Sequence, residues 1–261
     1  MISIGTVLVF AELQEQERIR QEKIALFTEN LGYEESAHVV IADPDASDTI
    51  ALNARWNKPV VTMSVTYDST VGAELQQSSR ERIKQALAPS GGSGSGSSSG
   101  GNVGGTVPYS GWNDLLYQLG KQSDKVPVLE YTDDFDRADI RLYLTNDSHP
   151  EGKVGFTRLM ANKVTKEIIS AEMRGFELGR LVDSNINAVA LRHGIGHALG
   201  LSHASYPGSV MHPHIVTVNG TAIGTLGPCE ENAIVELYIK GSLEPVSCKP
   251  GALAQVGLPK K

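Results

Sequence analysis

The sequence predicts an α/β protein with a small N-terminal α/β domain, a flexible linker and a second, larger domain. Strand-like apolar runs alternate with helical spacing over residues 1–88, an order that favours parallel strands joined by helices. Residues 89–105 are mostly glycine and serine, a composition that cannot bury a core and is typical of a flexible linker. Strands and helices resume at residue 106, so we expect the second domain over residues 106–245 and a tail over residues 246–261.

The elements of the N-terminal domain follow from the spacing of its apolar residues. We expect strands at 6–10, 37–42 and 59–65, and helices at 12–31, 47–57 and 80–87. Gly32 is the predicted stop of the first helix. No phosphate-binding glycine pattern follows any of these strands, so the sequence assigns this domain no function.

The second domain begins with an amphipathic helix that carries Trp112. Alternation of apolar and polar residues then predicts strands at 126–131, 139–144 and 168–173. Two helices follow, at 185–199 and 228–238. Cys229 and Cys248 bracket the last helix, and a disulfide between them and two free thiols both remain open.

Composition excludes two classes of function. The 261 residues carry a net charge of −7 with no cluster of lysine and arginine, which argues against a nucleic-acid-binding surface. No apolar run approaches the 18 or so residues that a membrane span needs. Residues 1–13 lack the basic start and long apolar stretch of a signal peptide. We therefore expect a protein without a membrane span, and a monomer.

Three histidines in the second domain have the spacing of a metal site. His193 and His197 are four residues apart, so on a helix they lie on one face, one turn apart. Gly200 permits a left-handed backbone that ends the helix and lets His203 turn back toward the other two. Three imidazoles with an open fourth position are the layout of a catalytic zinc site. The alternative is three histidines that merely belong to an amphipathic helix and its flank.

This segment resembles the zinc-binding consensus of the metzincin metallopeptidases, H-E-x-x-H-x-x-G-x-x-H followed by a Met-turn. Ser209-Val210-Met211-His212-Pro213 is similar to the Met-turn of the matrixins within that group. The tryptophan-bearing helix, the strands near 126–144 and the last helix also look like parts of a matrixin catalytic domain. The resemblance covers about residues 107–241 and implies an α+β zinc peptidase domain, in which a twisted mixed sheet accompanies a zinc helix and a C-terminal helix.

The resemblance also implies site residues and a function. It makes His193, His197 and His203 the ligands of Zn²⁺, and it places Met211 and Pro213 in a Met-turn beneath the metal. Gly155, Phe156 and Thr157 would open the edge strand against which an extended peptide lies. The implied activity is zinc-dependent endopeptidase cleavage of extended polypeptides, outside the cell or in the cell envelope. Matrixins commonly bind Ca²⁺ as well, for which acidic loop residues are candidate ligands or simply solvated surface: Asp133, Asp134, Asp136 and Asp147.

Position 194 departs from the family pattern. Gly194 stands where the family carries the glutamate that accepts and returns the proton during hydrolysis. The chain is then a degenerate peptidase, a sequence altered at 194 relative to an active parent, or an enzyme with another base. The last is the weakest, because Glu172 and Glu177 lie outside the helix and nothing in the sequence places either one at the metal.

Two further hypotheses concern the whole chain. It could be a catalytically inactive, zinc-binding pseudopeptidase that serves as a protein-binding module. Alternatively, the N-terminal domain is an inhibitory pro-segment. No cysteine precedes the linker, so such a segment could not cap the metal with a thiol.

Overall fold

The computed structural model describes residues 31–36, 49–87, 109, 111–149, 154–181, 186–204, 208–218 and 221–248. The expected strands at 6–10 and 37–42, the helix over 12–30 and the linker lie outside these residues. Leu31 and Gly32, expected at the end of that helix, lie in a strand instead. In the described part of the chain, no helix is both long and apolar enough to cross a bilayer.

A mixed sheet of six strands forms the centre of the fold, as the sequence predicts for its second domain. Its strands are β1 (Leu31–Ser36), β3 (Val60–Tyr67), β4 (Val128–Tyr131), β5 (Ile140–Leu144), β6 (Gly155–Ala161) and β7 (Ile168–Gly175). Their spatial order is β1, β6, β7, β5, β3, β4. β4, β3, β5 and β7 run parallel, whereas β6 is antiparallel to both of its neighbours, β7 and β1.

Two short pairs of strands flank this sheet. β2 (Thr49–Ile50) pairs with β10 (Val246–Ser247), and β8 (Val216–Val218) pairs with β9 (Thr221–Ile223). A disulfide between Cys229 and Cys248 fixes the segment that carries β10. Of the two alternatives that the sequence left open, a disulfide and two free thiols, the structure has the disulfide. The pairing of β10 with β2 brings the end of the described chain against β2.

Most of the helices lie where the spacing of apolar residues predicts them. They are α1 (Ala73–Leu87), α2 (Trp112–Gly120), α3 (Leu178–Leu181), α4 (Ile186–Ala198) and α5 (Pro228–Ile234), the last of which continues as a π-helix (Val235–Lys240). α4 packs against β6 and β7. Its buried side chains include Val189, Ile195 and, just past its end, Leu199. The sheet and α4 therefore enclose the core from two sides.

The structure corrects the predicted independence of the N-terminal domain for residues 49–87. β3 lies inside the sheet between β4 and β5, both of which follow the linker in sequence. Val61 and Met63 of β3 are fully buried in the same core as the helices of the second domain. The alternation of Val61, Met63 and Val65 with polar residues predicts a strand, but the sequence does not reveal which strands pair with it.

The predicted helix at 47–57 is wrong. Its residues form β2 and isolated bridges, from Leu52 to Leu201 and from Arg55 to Glu167. Trp56 is buried, and its indole N–H donates to the carbonyl of Ala198 at 2.8 Å. Long-range pairing with the second domain therefore replaces the local helical bonds, because the backbone groups find partners there.

Candidate metal centre and peptide cleft

The three histidines converge at the C-terminal end of α4. His193 and His197 are one helical turn apart, and their Nε2 atoms are 2.9 Å apart. Nε2 of His203 lies 3.2 Å from Nε2 of His193. One potential ligand atom from each residue lies within 4.8 Å of the others. Within the described residues this is the one group of three or more histidine, cysteine or acidic side chains close enough to share a metal ion.

The turn that returns His203 depends on glycine. Gly200 has a φ of +96°, a conformation that side chains with a Cβ rarely adopt. A Cβ on this residue would also lie 1.8 Å from the carbonyl oxygen of Ala54. The N–H of Asn53 donates to the carbonyl of Gly200 at 3.2 Å, and the N–H of Ser202 donates to Ala51 at 3.0 Å. The segment 51–54 thus holds the turn between the second and third histidines.

Backbone carbonyls orient two of the imidazole rings. Nδ1 of His193 donates to the carbonyl of Val210 at 2.8 Å, and Nδ1 of His197 donates to that of Leu201 at 2.8 Å. A carbonyl can only accept, so the proton of each neutral ring is on Nδ1 and the lone pair is on Nε2. Both Nε2 atoms face the centre of the group. This is the arrangement in which metal-binding histidines are usually held.

Burial keeps the three rings neutral. It lowers the pKa of His193 to about 4 and that of His203 to about 3, from an ordinary value of 6.5. The pKa of His197 is also well below its ordinary value, first because the ring is buried and then because the two other histidines would repel its charge. Neutral imidazole is the form that binds a metal, so the site is prepared for one at neutral pH.

These donors fit zinc. Bonds of 2.0–2.1 Å at tetrahedral angles would separate two ligand nitrogens by about 3.3 Å, close to the two separations observed. The lone pairs on Nε2 of His193 and His197 also face each other, an arrangement that a cation between them would stabilise. No comparable group surrounds the acidic residues considered for calcium, among the residues that the structure describes.

The segment with the Met-turn sequence packs beneath the histidines. Met211 is fully buried, and a Cβ at Gly196 would lie 2.2 Å from its sulfur. The N–H of Met211 donates to Oγ of Ser209 at 2.9 Å, and its carbonyl accepts from the N–H of Ala204, next to His203. The turn therefore touches α4 and is bonded to the residue that follows the third histidine.

Glu230 anchors this turn, a role that the sequence analysis missed. Its carboxylate accepts hydrogen bonds from the hydroxyl of Ser209 and, at 2.9 Å, from the N–H of Gly227. Burial raises the pKa of this carboxyl group, although the hydrogen bonds oppose that shift. An acidic residue in the first turn of a helix is ordinary, so nothing in the sequence distinguishes Glu230 from Glu231 beside it.

Gly194 faces the sheet at the side of the histidine group. The hydroxyl of Thr157, on β6, donates to its carbonyl oxygen at 3.3 Å. A Cβ at this position would lie 2.6 Å from the terminal methyl of Met173 and 3.3 Å from Oγ1 of Thr157. The methyl is the free end of a flexible side chain, so a larger residue at 194 requires that Met173 shift.

A cavity of about 710 Å³ opens beside the histidines. Its walls come from β5, the start of β6, the length of α4 and the turn after His203, and they include Gly155, Phe156, Thr157 and Pro213. None of the described residues that line it is aspartate or glutamate. Glu172 pairs instead with Arg141 at 3.1 Å, and Glu177 accepts from Ser148 at 2.6 Å.

The segment 155–157 differs from expectation in one respect. It lies in β6 and lines the cavity, but β6 is not an edge of the described sheet. β1 pairs with its outer side. The strand expected to receive a peptide therefore already has a neighbour on each side.

Comparison with known proteins supports the interpretation of this site. The family model of the matrixin peptidases matches residues 119–239. The match begins at the end of α2, includes the three histidines and the Met-turn sequence, and ends in the π-helix. No curated protein matches the chain. Residues 119–239 therefore form a matrixin-like metzincin domain, of the metallopeptidase type.

Proposed function

We propose that this chain is a zinc-dependent protein of the metalloendopeptidase type, whose cleft binds extended polypeptides and hydrolyses them slowly because position 194 has no carboxylate. The observation that carries the proposal is the histidine group itself. Three neutral rings, two of them oriented by backbone carbonyls, present nitrogen lone pairs beside a cavity of about 710 Å³. That combination suits a metal site with room for a substrate.

His193, His197 and His203 would hold the zinc. Zinc bound there would supply a Lewis acid that polarises a peptide carbonyl. The cavity wall offers apolar surface from Leu142 and Leu144 for a substrate side chain. An extended peptide would pair as an added strand with the main-chain N–H and C=O groups on the outer side of β6, which pair with β1 in this structure.

Proton transfer is the step for which the described cleft supplies no carboxylate. Gly194 carries no side chain, and no aspartate or glutamate lines the described cavity. Loss of a positioned acid or base typically lowers a rate by about a hundred- to ten-thousand-fold. The same observation favours a second candidate function, a zinc-binding pseudopeptidase that binds proteins and does not cut them.

Cleavage of a mixed, internally quenched peptide library tests both functions. We would compare the zinc-loaded protein as written, its Gly194→Glu and Gly194→Gln variants, and a zinc-stripped sample. Glutamine is the matched control, because it fills the same space beside Met173 but cannot accept the proton. We expect Gly194→Glu to cut about a hundredfold faster or more than the protein as written, and Gly194→Gln to match the protein as written.

The outcomes separate the candidates. Slow, zinc-dependent cleavage by the protein as written supports the peptidase. If only Gly194→Glu cuts, the cleft is intact and the chain is a pseudopeptidase. If no sample cuts, and isothermal titration shows that the protein as written does not bind zinc, both functions are wrong.

We further propose that the protein works outside the cell or in the cell envelope. The bond between Cys229 and Cys248 supports this location, because structural disulfides persist mainly in oxidising compartments. Measuring the free thiol content of the native protein tests it. Two reactive thiols in protein taken directly from its source would contradict the proposal.

A further inference from the structure

His212 and His214 are two histidines of the cavity wall that the metal site does not use. Both line the cavity together with His193 and His197, and both are half-buried. Imidazole is the side chain that most readily takes up and gives back a proton near neutral pH. The cavity has no described carboxylate in its wall, but it does contain side chains that can transfer a proton.

The turn that supports the metal site also holds His212 in place. Two residues before it, the carbonyl of Val210 accepts a hydrogen bond from Nδ1 of His193. Its neighbour Met211 is fully buried, and the carbonyl of Met211 accepts from the N–H of Ala204 at 2.9 Å. The residues immediately before His212 are therefore bonded both to the histidine helix and to the segment that carries the third histidine.

His212 lies within electrostatic reach of two of the proposed metal ligands. Burial is the main reason that the pKa values of His193 and His203 are low, and repulsion from a charge on His212 lowers both further. Such repulsion weakens with distance, so His212 is near both rings. A peptide bond held beside the three ligands would therefore also lie near His212.

The backbone of His214 prepares the ring of His212 to accept a proton. Its carbonyl oxygen lies 3.0 Å from Nδ1 of His212, and its N–H lies 3.2 Å from the same nitrogen and suits the other neutral form of the ring. When Nδ1 carries the proton, it donates to the carbonyl, and the lone pair of the ring is on Nε2. Once Nε2 is protonated as well, Nδ1 still donates to that carbonyl, which stabilises the charged ring.

The second ring nitrogen of His212 is available for this exchange. Within the described part of the chain, Nε2 of His212 makes no hydrogen bond, because both contacts of the ring to backbone groups involve Nδ1. The Nε2 atoms of His193 and His197 differ in this respect, since they face each other across the proposed metal position. His212 can therefore exchange a proton without giving up a metal ligand.

We propose that Nε2 of His212 accepts a proton from the water that attacks the peptide bond and returns it to the departing amine, in place of a carboxylate at position 194. The inference rests on the proposed function, because it concerns the same cleavage. As the water oxygen bonds to the carbonyl carbon, one of its protons moves to Nε2. When the C–N bond breaks, the amine nitrogen takes that proton. The ring ends neutral, so the cycle needs no further reactant.

A comparison of changes at two positions tests this role. The internally quenched peptide library is cut with four zinc-loaded proteins: the protein as written, His212→Gln, Gly194→Glu, and the variant with both changes. Glutamine has no nitrogen that accepts a proton. We expect His212→Gln to lower the rate of the protein as written by at least about tenfold. It should lower the rate of Gly194→Glu by less than about threefold, because the carboxylate then carries the proton.

Zinc affinity is the second readout, measured by competition with a chromogenic chelator. It should be equal in the protein as written and in His212→Gln, because His212 transfers a proton and does not bind the metal. His149→Gln is the matched control. His149 is also a half-buried histidine, but its ring stacks on Phe176 and it is not among the described residues that line the cavity. This control should leave both readouts unchanged.

The other results each contradict a particular step. An equal fall in rate with Gly and with Glu at position 194 would make His212 a structural support of the turn, and a fall in zinc affinity would make it part of the metal site. Either result overturns the inference. Cleavage by the protein as written that does not change in His212→Gln overturns the inference and leaves the proposed function standing. If the protein as written does not cut at all, the proposed slow peptidase and this inference are both wrong.

Discussion

The Nδ1 nitrogen of His193 donates a hydrogen bond to the carbonyl oxygen of Val210 at 2.8 Å, which joins the histidine helix to the turn beneath it. That turn is itself held by the carboxylate of Glu230, through the hydroxyl of Ser209. The orientation of a proposed zinc ligand therefore depends on a carboxyl group in α5, 37 residues after it in sequence. Partners of this kind tune metal affinity as well as fold.

The first prediction concerns this support. In Glu230→Ala, the Ser209 hydroxyl and the Gly227 N–H lose their buried acceptor, at about 1–3 kcal/mol for each group. The turn loosens, so the ring of His193 loses its fixed orientation. We expect zinc affinity to fall about 10- to 100-fold, as measured by competition with a chromogenic chelator.

Glu244→Ala is the control, because Glu244 is exposed and remote from this turn in sequence. It should leave both zinc affinity and the free energy of unfolding unchanged. If Glu230→Ala lowers stability but leaves zinc affinity equal to that of the control, Glu230 supports the core and does not orient the site.

The second prediction compares two glycines with nearly equal backbone angles. Gly200 has a φ of +96° and Gly208 a φ of +99°, so alanine is strained at both positions. A Cβ at Gly208 meets nothing within 4 Å, whereas one at Gly200 meets the carbonyl of Ala54 at 1.8 Å. Gly208→Ala should cost about 1–3 kcal/mol of unfolding free energy, from backbone strain alone. Gly200→Ala should cost about 4 kcal/mol or more, because the backbone of segment 51–54 must move away.

Urea denaturation of both variants measures the difference. Backbone strain is common to the two variants. The difference between their losses of unfolding free energy therefore reports the contact between Gly200 and segment 51–54. Equal losses in the two variants would mean that this contact does not hold the turn.

Local signals explain which parts of the fold the sequence predicts. β5 alternates buried and partly exposed residues through I-R-L-Y-L, and the pattern alone identifies it as a strand. The spacing of His193 and His197 needs only a helix, which the apolar residues around them predict. Met211 and the last helix follow from resemblance to a known family, which is also local in sequence.

Long-range pairing explains what the sequence does not predict. The N–H of Ala51 donates a hydrogen bond to the hydroxyl of Ser202, which is 151 residues away in sequence. The residues next to Ala51 do not indicate that this partner exists. The segment therefore reads as a helix and forms bridges instead. Likewise, the sequence predicts β3 as a strand of a separate N-terminal domain. Its partner β4 lies beyond the glycine- and serine-rich run, so no local sequence pattern indicates that the two strands pair.

The third prediction follows from the position of β3. Deletion of residues 1–88 removes the strand between β4 and β5 together with α1. Each large side chain lost from the core, such as Val61 or Met63, forfeits about 1.5–3 kcal/mol of burial, and domains have only about 5–15 kcal/mol in total. We expect this truncated protein to show no cooperative thermal unfolding in calorimetry.

Deletion of residues 1–48 is the matched comparison. It spares β2 and β3, so a cooperative transition should remain. A cooperative transition after deletion of residues 1–88 would instead show that the second domain folds alone, and the shared sheet would then not be required for stability.

The fourth prediction is a loss of stability in acid for the metal-free protein. The folded-state pKa values of His193 and His203 are lowered to about 4 and about 3, and that of His197 is lowered in the same direction. Between pH 6.5 and pH 4, therefore, the unfolded chain binds protons at these residues and the folded protein does not. The free energy of unfolding should fall as pH falls, by up to about 1.4 kcal/mol per pH unit for each histidine.

Glu230 acts in the opposite sense, because its raised folded-state pKa makes stability fall as pH rises above the ordinary value of 4.5. One such carboxyl group opposes three histidines. Above pH 5, therefore, the free energy of unfolding should still fall as pH falls, as the histidines require. Urea midpoints measured in a chelating buffer from pH 7.5 to pH 5 test this. The comparison is the variant with His193, His197 and His203 all changed to Gln. Because glutamine does not titrate, the free energy of unfolding of this variant should change less with pH. A slope equal to that of the triple variant would mean that the rings are solvated and charged in the folded protein, and that the site is not prepared for a metal.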